Sequence, residues 1–289
     1  MRRTRTNAPH GACARLRWRA LAAGVLVLAG CAAPSQRAVD PASTSLPYTI
    51  VRTQRDLALG TDIRRIRIVN PHGNVVVRNT GQRLIGVRSV IQRLGVRPEI
   101  EQVALDTLGD SAALEVAYPS DPLRGTDVRV QGHRKGRVDL AVFVPTGMLV
   151  EVTTTYGKID VRRIDNDVVA QTREGTLVAA ATGYLHLTSD SGEIRAWPMR
   201  GKASQGYDLT TRTGNIVADV PIYGELDLRV RTRGRIDAEA ELSLDPSQRD
   251  GFNEARKLIG SGAQSYVVTS QSGNVFLQSA TRSPEAQRQ

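Results

Sequence analysis

The sequence predicts an all-β chain: a single-domain, β-solenoid-like stack of strand–glycine turn–strand copies, with a β-sandwich as the alternative. Three observations predict it. A Gly–polar–aliphatic step recurs at Gly73-Asn74-Val75, Gly157-Lys158-Ile159, Gly175-Thr176-Leu177, Gly192-Glu193-Ile194, Gly214-Asn215-Ile216, Gly234-Arg235-Ile236 and Gly273-Asn274-Val275. The residues flanking each step alternate apolar and polar, the period of a half-buried strand. From Gly157 to Gly234 the intervals are 18, 17, 22 and 20 residues, a near-regular period that marks a repeat architecture.

Each copy divides into the same parts. Two and four residues after the glycine come Val75/Val77, Ile159/Val161, Leu177/Ala179, Ile194/Ala196, Ile216/Ala218, Ile236/Ala238 and Val275/Leu277, the inward face of a second strand. Seven and five residues before it come Ile66/Ile68, Val150/Val152, Val168/Ala170, Leu185/Leu187, Tyr207/Leu209 and Tyr266/Val268, the inward face of a first strand. The Gly234 copy is one residue tighter, with Leu228/Val230. Three residues before the glycine, on the inward parity, stand Asn70, Thr154, Thr172, Ser189, Thr211 and Ser270, whose short polar groups can bond to the turn or to the next copy. The glycine is expected to supply a positive φ at the corner. One copy cannot bury its apolar face alone, whereas a stack of copies can.

Two stretches break the pattern. Residues 78–137 are less regular, with apolar alternation at Leu84–Ile91 and Ala112–Tyr118. Between these, Pro98–Leu108 places Ile100, Val103, Ala104 and Leu108 at helical spacing between a proline and Gly109, which predicts a short helix. Asp250–Ile259, ending at Gly260, is a second helix candidate.

The N-terminus is an address. Of 39 Lys+Arg against 29 Asp+Glu, six arginines and no acid fall in residues 1–30. The apolar run Ala20–Gly30 rises only about 16 Å as a helix, too short to span a bilayer. A basic region, a short apolar region and small residues describe a secretory signal. Leu28-Ala29-Gly30-Cys31 resembles the lipobox of bacterial lipoproteins, which implies lipidation of Cys31, while Ala32 in place of an Asp implies the outer membrane. The expected organisation is a signal peptide over 1–30, a flexible tether over 31–47, the β-repeat domain over 48–280 and a disordered tail over 281–289. Once the signal is removed, the formal charge falls from +10 to +4. With aromatics at 4%, little supports base stacking, so no nucleic-acid partner is expected.

The stretches Val138–Gly147, Thr153–Ile159, Thr188–Ile194 and Thr211–Ile216 resemble the bacterial adhesin-like family of β-strand-repeat proteins, related to the head (GIN-type) domain of auto-transporter adhesins. The resemblance covers roughly residues 60–280. It implies the fold named above and an envelope protein acting as a non-catalytic structural, adhesion or interaction module. An accessory factor in envelope-stress sensing or assembly, and a hydrolase of envelope polymers, are the alternative classes.

No catalytic signature is present. Gly-x-Ser-x-Gly, His-Glu-x-x-His, a Walker loop and a dinucleotide fingerprint are all absent from the sequence. His72, His133 and His186 have no regular partner in the repeat, and acids near turns such as Glu174 and Asp190 do not recur in register, so no metal, cofactor or catalytic residue is assigned. The candidate site is electrostatic. Arg229, Arg231, Arg233 and Arg235 line the outward side of one copy and its corner, suited to bidentate grip of an anionic glycan or lipopolysaccharide. Asp237, Glu239 and Glu241 follow on the outward parity and could neutralise the stripe. Arg129, Arg134, Lys135 and Arg137 form a second basic cluster. The expected partners are thus the membrane, through the lipid, and an envelope protein or anionic glycan.

Overall fold

A computed structural model describes residues 48–94, 101–118, 136–199, 206–222 and 224–280, all within one compact unit, Ser45–Gln289. The expected secretory signal and tether, Cys31, residues 281–289 expected as a tail, and the basic residues Arg129, Arg134 and Lys135 lie outside the described residues, as does His133.

The described chain is all-β apart from one 3-10 turn, Ala240–Leu242. It opens with β1 (Tyr48–Ala58), β2 (Arg65–His72), β3 (Val75–Thr80), β4 (Leu84–Leu94), β5 (Gln102–Leu108), β6 (Ser111–Ala117) and β7 (Gly136–Pro145). Four regular copies follow: β8 (Leu149–Tyr156) with β9 (Ile159–Ile164), β10 (Asp167–Glu174) with β11 (Leu177–Ala181), β12 (Leu185–Ser191) with β13 (Ile194–Pro198), and β14 (Tyr207–Thr211) with β15 (Ile216–Val220). The chain ends with β16 (Leu226–Thr232), β17 (Ile236–Ala238), β18 (Asp245–Arg249), β19 (Phe252–Ile259), β20 (Gln264–Ser270) and β21 (Val275–Ser279).

The strands form two sheets around one core. Sheet A runs β1-β4-β7-β3-β9-β11-β13-β15-β21-β17, and sheet B runs β18-β19-β16-β20-β14-β12-β10-β8-β2-β6-β5. Neighbouring copies pair in parallel and in register, so each inward row predicted from the sequence becomes a continuous buried column. Ile159 lies beside Leu177, Leu177 beside Ile194, Ile194 beside Ile216 and Ile216 beside Val275, all of them buried. Through the repeat the copies thus stack in parallel, with the two sheets facing each other across one core, while antiparallel pairs extend the sheets at either end.

The glycines form a column of their own, and its cause differs from the expected one. At Gly73, Gly157 and Gly175 φ is positive, but Gly192, Gly214, Gly234 and Gly273 are not in that region. What the seven share is close approach. A Cβ on Gly175 would sit 2.0 Å from the Gly157 carbonyl oxygen, one on Gly192 1.9 Å from that of Gly175, and one on Gly214 1.8 Å from that of Gly192. The turns stack so tightly that only a residue without a side chain fits. Beside this column runs a polar ladder of the predicted inward Ser, Thr and Asn residues, all buried. Ser270 Oγ accepts the Gly273 N–H (2.9 Å) and donates to the Gly214 carbonyl (2.9 Å). Thr154 Oγ1 donates to Thr172 Oγ1 (2.9 Å). In the tighter copy Thr232, two residues before its glycine, takes the same role: it accepts the Gly234 N–H (2.9 Å) and donates to the Gly273 carbonyl. Ser270 and Thr232 thereby each satisfy groups of two copies at once, as buried polar atoms require, whereas the buried Ser189 Oγ has no hydrogen-bond partner among the described residues.

Two features correct the sequence reading, and a third goes beyond it. Within Pro98–Leu108, residues 102–108 are strand β5, hairpinned to β6 through Gly109-Asp110, and Val103 and Leu105 alternate inward. Asp250–Ile259 is likewise no helix: Asp250-Gly251, with φ of 52° and 74°, is the two-residue turn joining β18 to β19. In both, helical spacing of a few apolar residues coincided with a hairpin signal that decides the structure. Finally, the copies do not stack in chain order. The last copy, β20/β21, lies between β14/β15 and β16/β17, because the chain passes out through the β18–β19 hairpin and returns.

Candidate functional site

The four arginines of the predicted stripe gather at the end of the stack formed by β16–β19, where the structure surrounds them with partners. β16 pairs antiparallel with β19, which brings Arg229 opposite Arg256 and Arg231 opposite Glu254. Asp227 receives both Arg229 (Nε, 3.0 Å) and Arg256 (Nε, 2.9 Å), and these two guanidinium bonds hold its carboxyl below the usual carboxylate range. Arg231 pairs with Glu254 at 3.2 Å and lies over the Phe252 ring, its Cζ 4.0 Å from the centroid. Arg233 lies over the same ring at 4.6 Å. Arg235 grips Asp237 at 2.8 Å. Among the described residues, Arg233 is the member of the four without a carboxylate in ion-pair range.

Neutralisation therefore comes from Asp227, Glu254 and Asp237. Glu239 instead accepts the N–H and Oγ–H of Ser279 (both 2.7 Å), which lowers its carboxyl. Phe252, Glu254 and Arg256 were missed by sequence reasoning because their segment read as a helix. The Asp250-Gly251 dipeptide, a two-residue hairpin turn signal, is what would have placed them.

The remaining candidates scatter. Arg137, from the second basic cluster, is buried and bonded to Asp139 (Nη2–Oδ1, 2.8 Å). His186 is half-exposed on the outer face of sheet B, its Nδ1 3.6 Å from the Asp208 carboxylate. His72 is buried at the far end of the stack, its ring stacked on Tyr156 (5.1 Å) and edge-on to Tyr118 (5.4 Å). The Tyr118 hydroxyl donates to Asn70 Oδ1 (2.9 Å), and burial pushes its ionisation well up. Among the described residues no three His, Cys, Asp or Glu side chains come together as a metal site, and no helix is long and apolar enough to cross a membrane.

Next to the arginine group lies a cleft of about 500 Å³. Its floor is the outer edge of β17, and its walls include Leu244, Pro246 and Ala255 from the chain around the β18–β19 hairpin. It exists because sheet B continues two strands past β16, through β19 and β18, whereas sheet A stops at β17. Asn253 Nδ2 reaches across the step to the Gly234 carbonyl (2.7 Å). On the outer face, Asp219 neighbours Gln278 in the same row as Glu239; burial, and next the Glu239 charge, push its carboxyl up to about 6.

No family model and no curated protein sequence matches the chain. Among solved structures it is similar to a candidate cell adhesion protein from Clostridium sporogenes, at 9% identity and a TM-score of 0.49, covering 80% of this chain and 100% of that one. A candidate adhesin from Bacteroides fragilis shares 13% identity at a TM-score of 0.26, over 79% of this chain and 97% of the other. At TM-scores below 0.5 these likenesses define neither the fold nor the role of this chain.

Chemically, the end of the stack can do two things. The guanidinium groups around Phe252 offer donors to an anion that competes with the resident carboxylates. The cleft offers the edge of β17, unpaired among the described residues, beside the apolar side chains of Leu244, Pro246 and Ala255.

Proposed function

We propose that the protein is a lipid-anchored, non-catalytic interaction module of the bacterial outer membrane, adhesive in the sense that a rigid β stack presents a binding end. One observation carries this reading: the recognition features collect at the β17–β19 end, opposite the end at which the chain enters through β1. From β1 to β17 the nine strand spacings of sheet A separate these ends by roughly 43 Å, at about 4.8 Å per spacing. The lipobox-like Cys31 precedes β1 in the chain, and β1 is the edge strand remote from β17 in sheet A. Acyl chains contribute about 0.8 kcal/mol per buried methylene, enough together to hold such a domain on a membrane. Anionic glycans or lipopolysaccharide suit the arginine group, with Arg233 stacked on Phe252 and its donors directed at no carboxylate.

Fractionation of cells tests the anchor: wild type is expected in the outer-membrane pellet and Cys31→Ser in the soluble fraction. Retention of Cys31→Ser in the pellet contradicts the lipid anchor. With the soluble Cys31→Ser protein, Arg231→Ser/Arg233→Ser is expected to weaken co-sedimentation with lipopolysaccharide vesicles, and unchanged sedimentation dismisses that face.

A further inference from the structure

The inward rows of sheet A are closed in every copy except the outermost, β16/β17. At the second row Val77, Val161, Ala179, Ala196, Ala218 and Leu277 are all buried, whereas Ala238, in register with Leu277, is exposed. Ile236 is half-buried where its neighbour Val275 is fully buried. Across the core, Leu228 and Val230 of the same copy are buried, because β19 continues sheet B over them. The core at this end lacks a strand on one side only.

Among the described residues nothing pairs with the backbone at the gap. In the parallel ladder the Arg235 carbonyl accepts from Val275 and the Glu239 N–H donates to Leu277. The alternate residues Ile236 and Ala238 therefore turn their N–H and C=O groups away from β21, toward the cleft. The other edge at this end is guarded. The two-residue turn pairs Arg249 with Phe252, so Asp245, Ser247 and Arg249 bond to β19 and Pro246 falls on the outward parity, where it has no N–H to offer. An extended chain can add to β17 but is obstructed at β18. Charge narrows the choice further: the outward residues of β17 and its continuation, with Glu241 just beyond, are acidic, and Arg235 is the facing cation.

We propose that the β17 edge is a strand-acceptor site for an extended peptide of a partner protein, apolar at the positions that enter the cleft and basic at the positions that lie beside Asp237 and Glu239. This rests on the interaction-module reading and adds the chemistry of the partner. The cleft supplies room for the inward side chains over Ala255 and Leu244, and the free groups of Ile236 and Ala238 supply the pairing. Cross-strand contact with the two carboxylates selects Lys or Arg on the outer face.

The test uses fluorescence anisotropy of the full-length protein with the labelled peptide VKVKVKV, its counterpart VEVEVEV, and two forms of the first N-methylated at the Val or at the Lys positions. VKVKVKV is expected to bind about tenfold more tightly than VEVEVEV, the effect of two or three cross-strand charge pairs. Only one of the two N-methylated forms is expected to lose binding, since only one parity of N–H faces β17. Asp237→Asn/Glu239→Gln is expected to abolish the preference for Lys over Glu while leaving parity selection intact. No binding of VKVKVKV, equal binding of both N-methylated forms, or equal binding of the Lys and Glu peptides to the wild type overturns the proposal. Each of these leaves the anchor and lipopolysaccharide results, which test the module reading, unaffected.

Discussion

Asp219 shows how a single side chain at the open end carries a measurable signature. It stands on the outer row of sheet A, and burial together with the Glu239 charge raises its carboxyl to about 6 from an ordinary 3.8. A raised folded-state value means that the folded protein holds this proton more tightly than the unfolded chain does. The associated stability is fully present below about pH 4 and is lost as pH rises through about 6. Asp219→Asn removes the buried charge without changing the shape of the side chain. The variant is expected to melt at a higher temperature than the wild type above pH 6, and the difference should shrink steadily between pH 6 and pH 4. A difference in melting temperature that does not change over that range contradicts the assignment.

At the scale of the element, the unit is the turn rather than the strand. Gly214 has no left-handed φ, so its need for glycine is entirely steric: a Cβ would stand 1.8 Å from the Gly192 carbonyl oxygen. Gly147 is the reverse case, with φ of 76° and open space around it. Gly214→Ala is expected to cost at least about 3 kcal/mol or to prevent folding, since it must push two rungs apart. Gly147→Ala should cost about 1 kcal/mol, the strain of a left-handed alanine. Denaturant titration of the two variants separates the cases, and similar losses would mean that conformation, not the stack, selects the column.

This contrast also marks what could be read from the residues. The glycine step, the period-two flanks and the inward Ser/Thr/Asn row are local patterns, each imposed by a side chain's own neighbours in the chain, and all reappear as columns in the structure. The alternations Leu84–Ile91 and Ala112–Tyr118 likewise became β4 and β6. The hairpins at Gly109-Asp110 and Asp250-Gly251 were legible too, but a few apolar residues at helical spacing masked their turn dipeptides. The insertion of β20/β21 inside β16/β17 was not legible, because which rung stacks on which is a choice between near-identical copies. For the site, the four arginines were visible, whereas Phe252, Glu254 and Arg256 reach them only through the β16–β19 pairing. The step between the sheets has no sequence mark at all, since it arises from how many strands each sheet contains.

For the whole molecule, the two ends of the stack are finished differently, and that asymmetry underlies the function proposed. At the β1 end both sheets run on past the first glycine copy, sheet A through β7, β4 and β1 and sheet B through β6 and β5. There a buried pair, Arg93 Nε with Glu101 Oε2 at 3.5 Å, links β4 to the entry of β5. At the opposite end sheet B alone is extended, leaving the last rung of sheet A open beside the cleft. A purely structural stack would be expected to close both ends alike, since an uncovered edge invites unwanted pairing.

Amide hydrogen exchange followed by NMR at β17 reports on this most directly. The account predicts that the Ile236 and Ala238 amides exchange quickly in the free protein while Asp237, whose N–H turns toward β21 in the parallel ladder, exchanges slowly, and that VKVKVKV protects Ile236 and Ala238. Slow exchange at all three positions without peptide would contradict it, because the edge would then be closed.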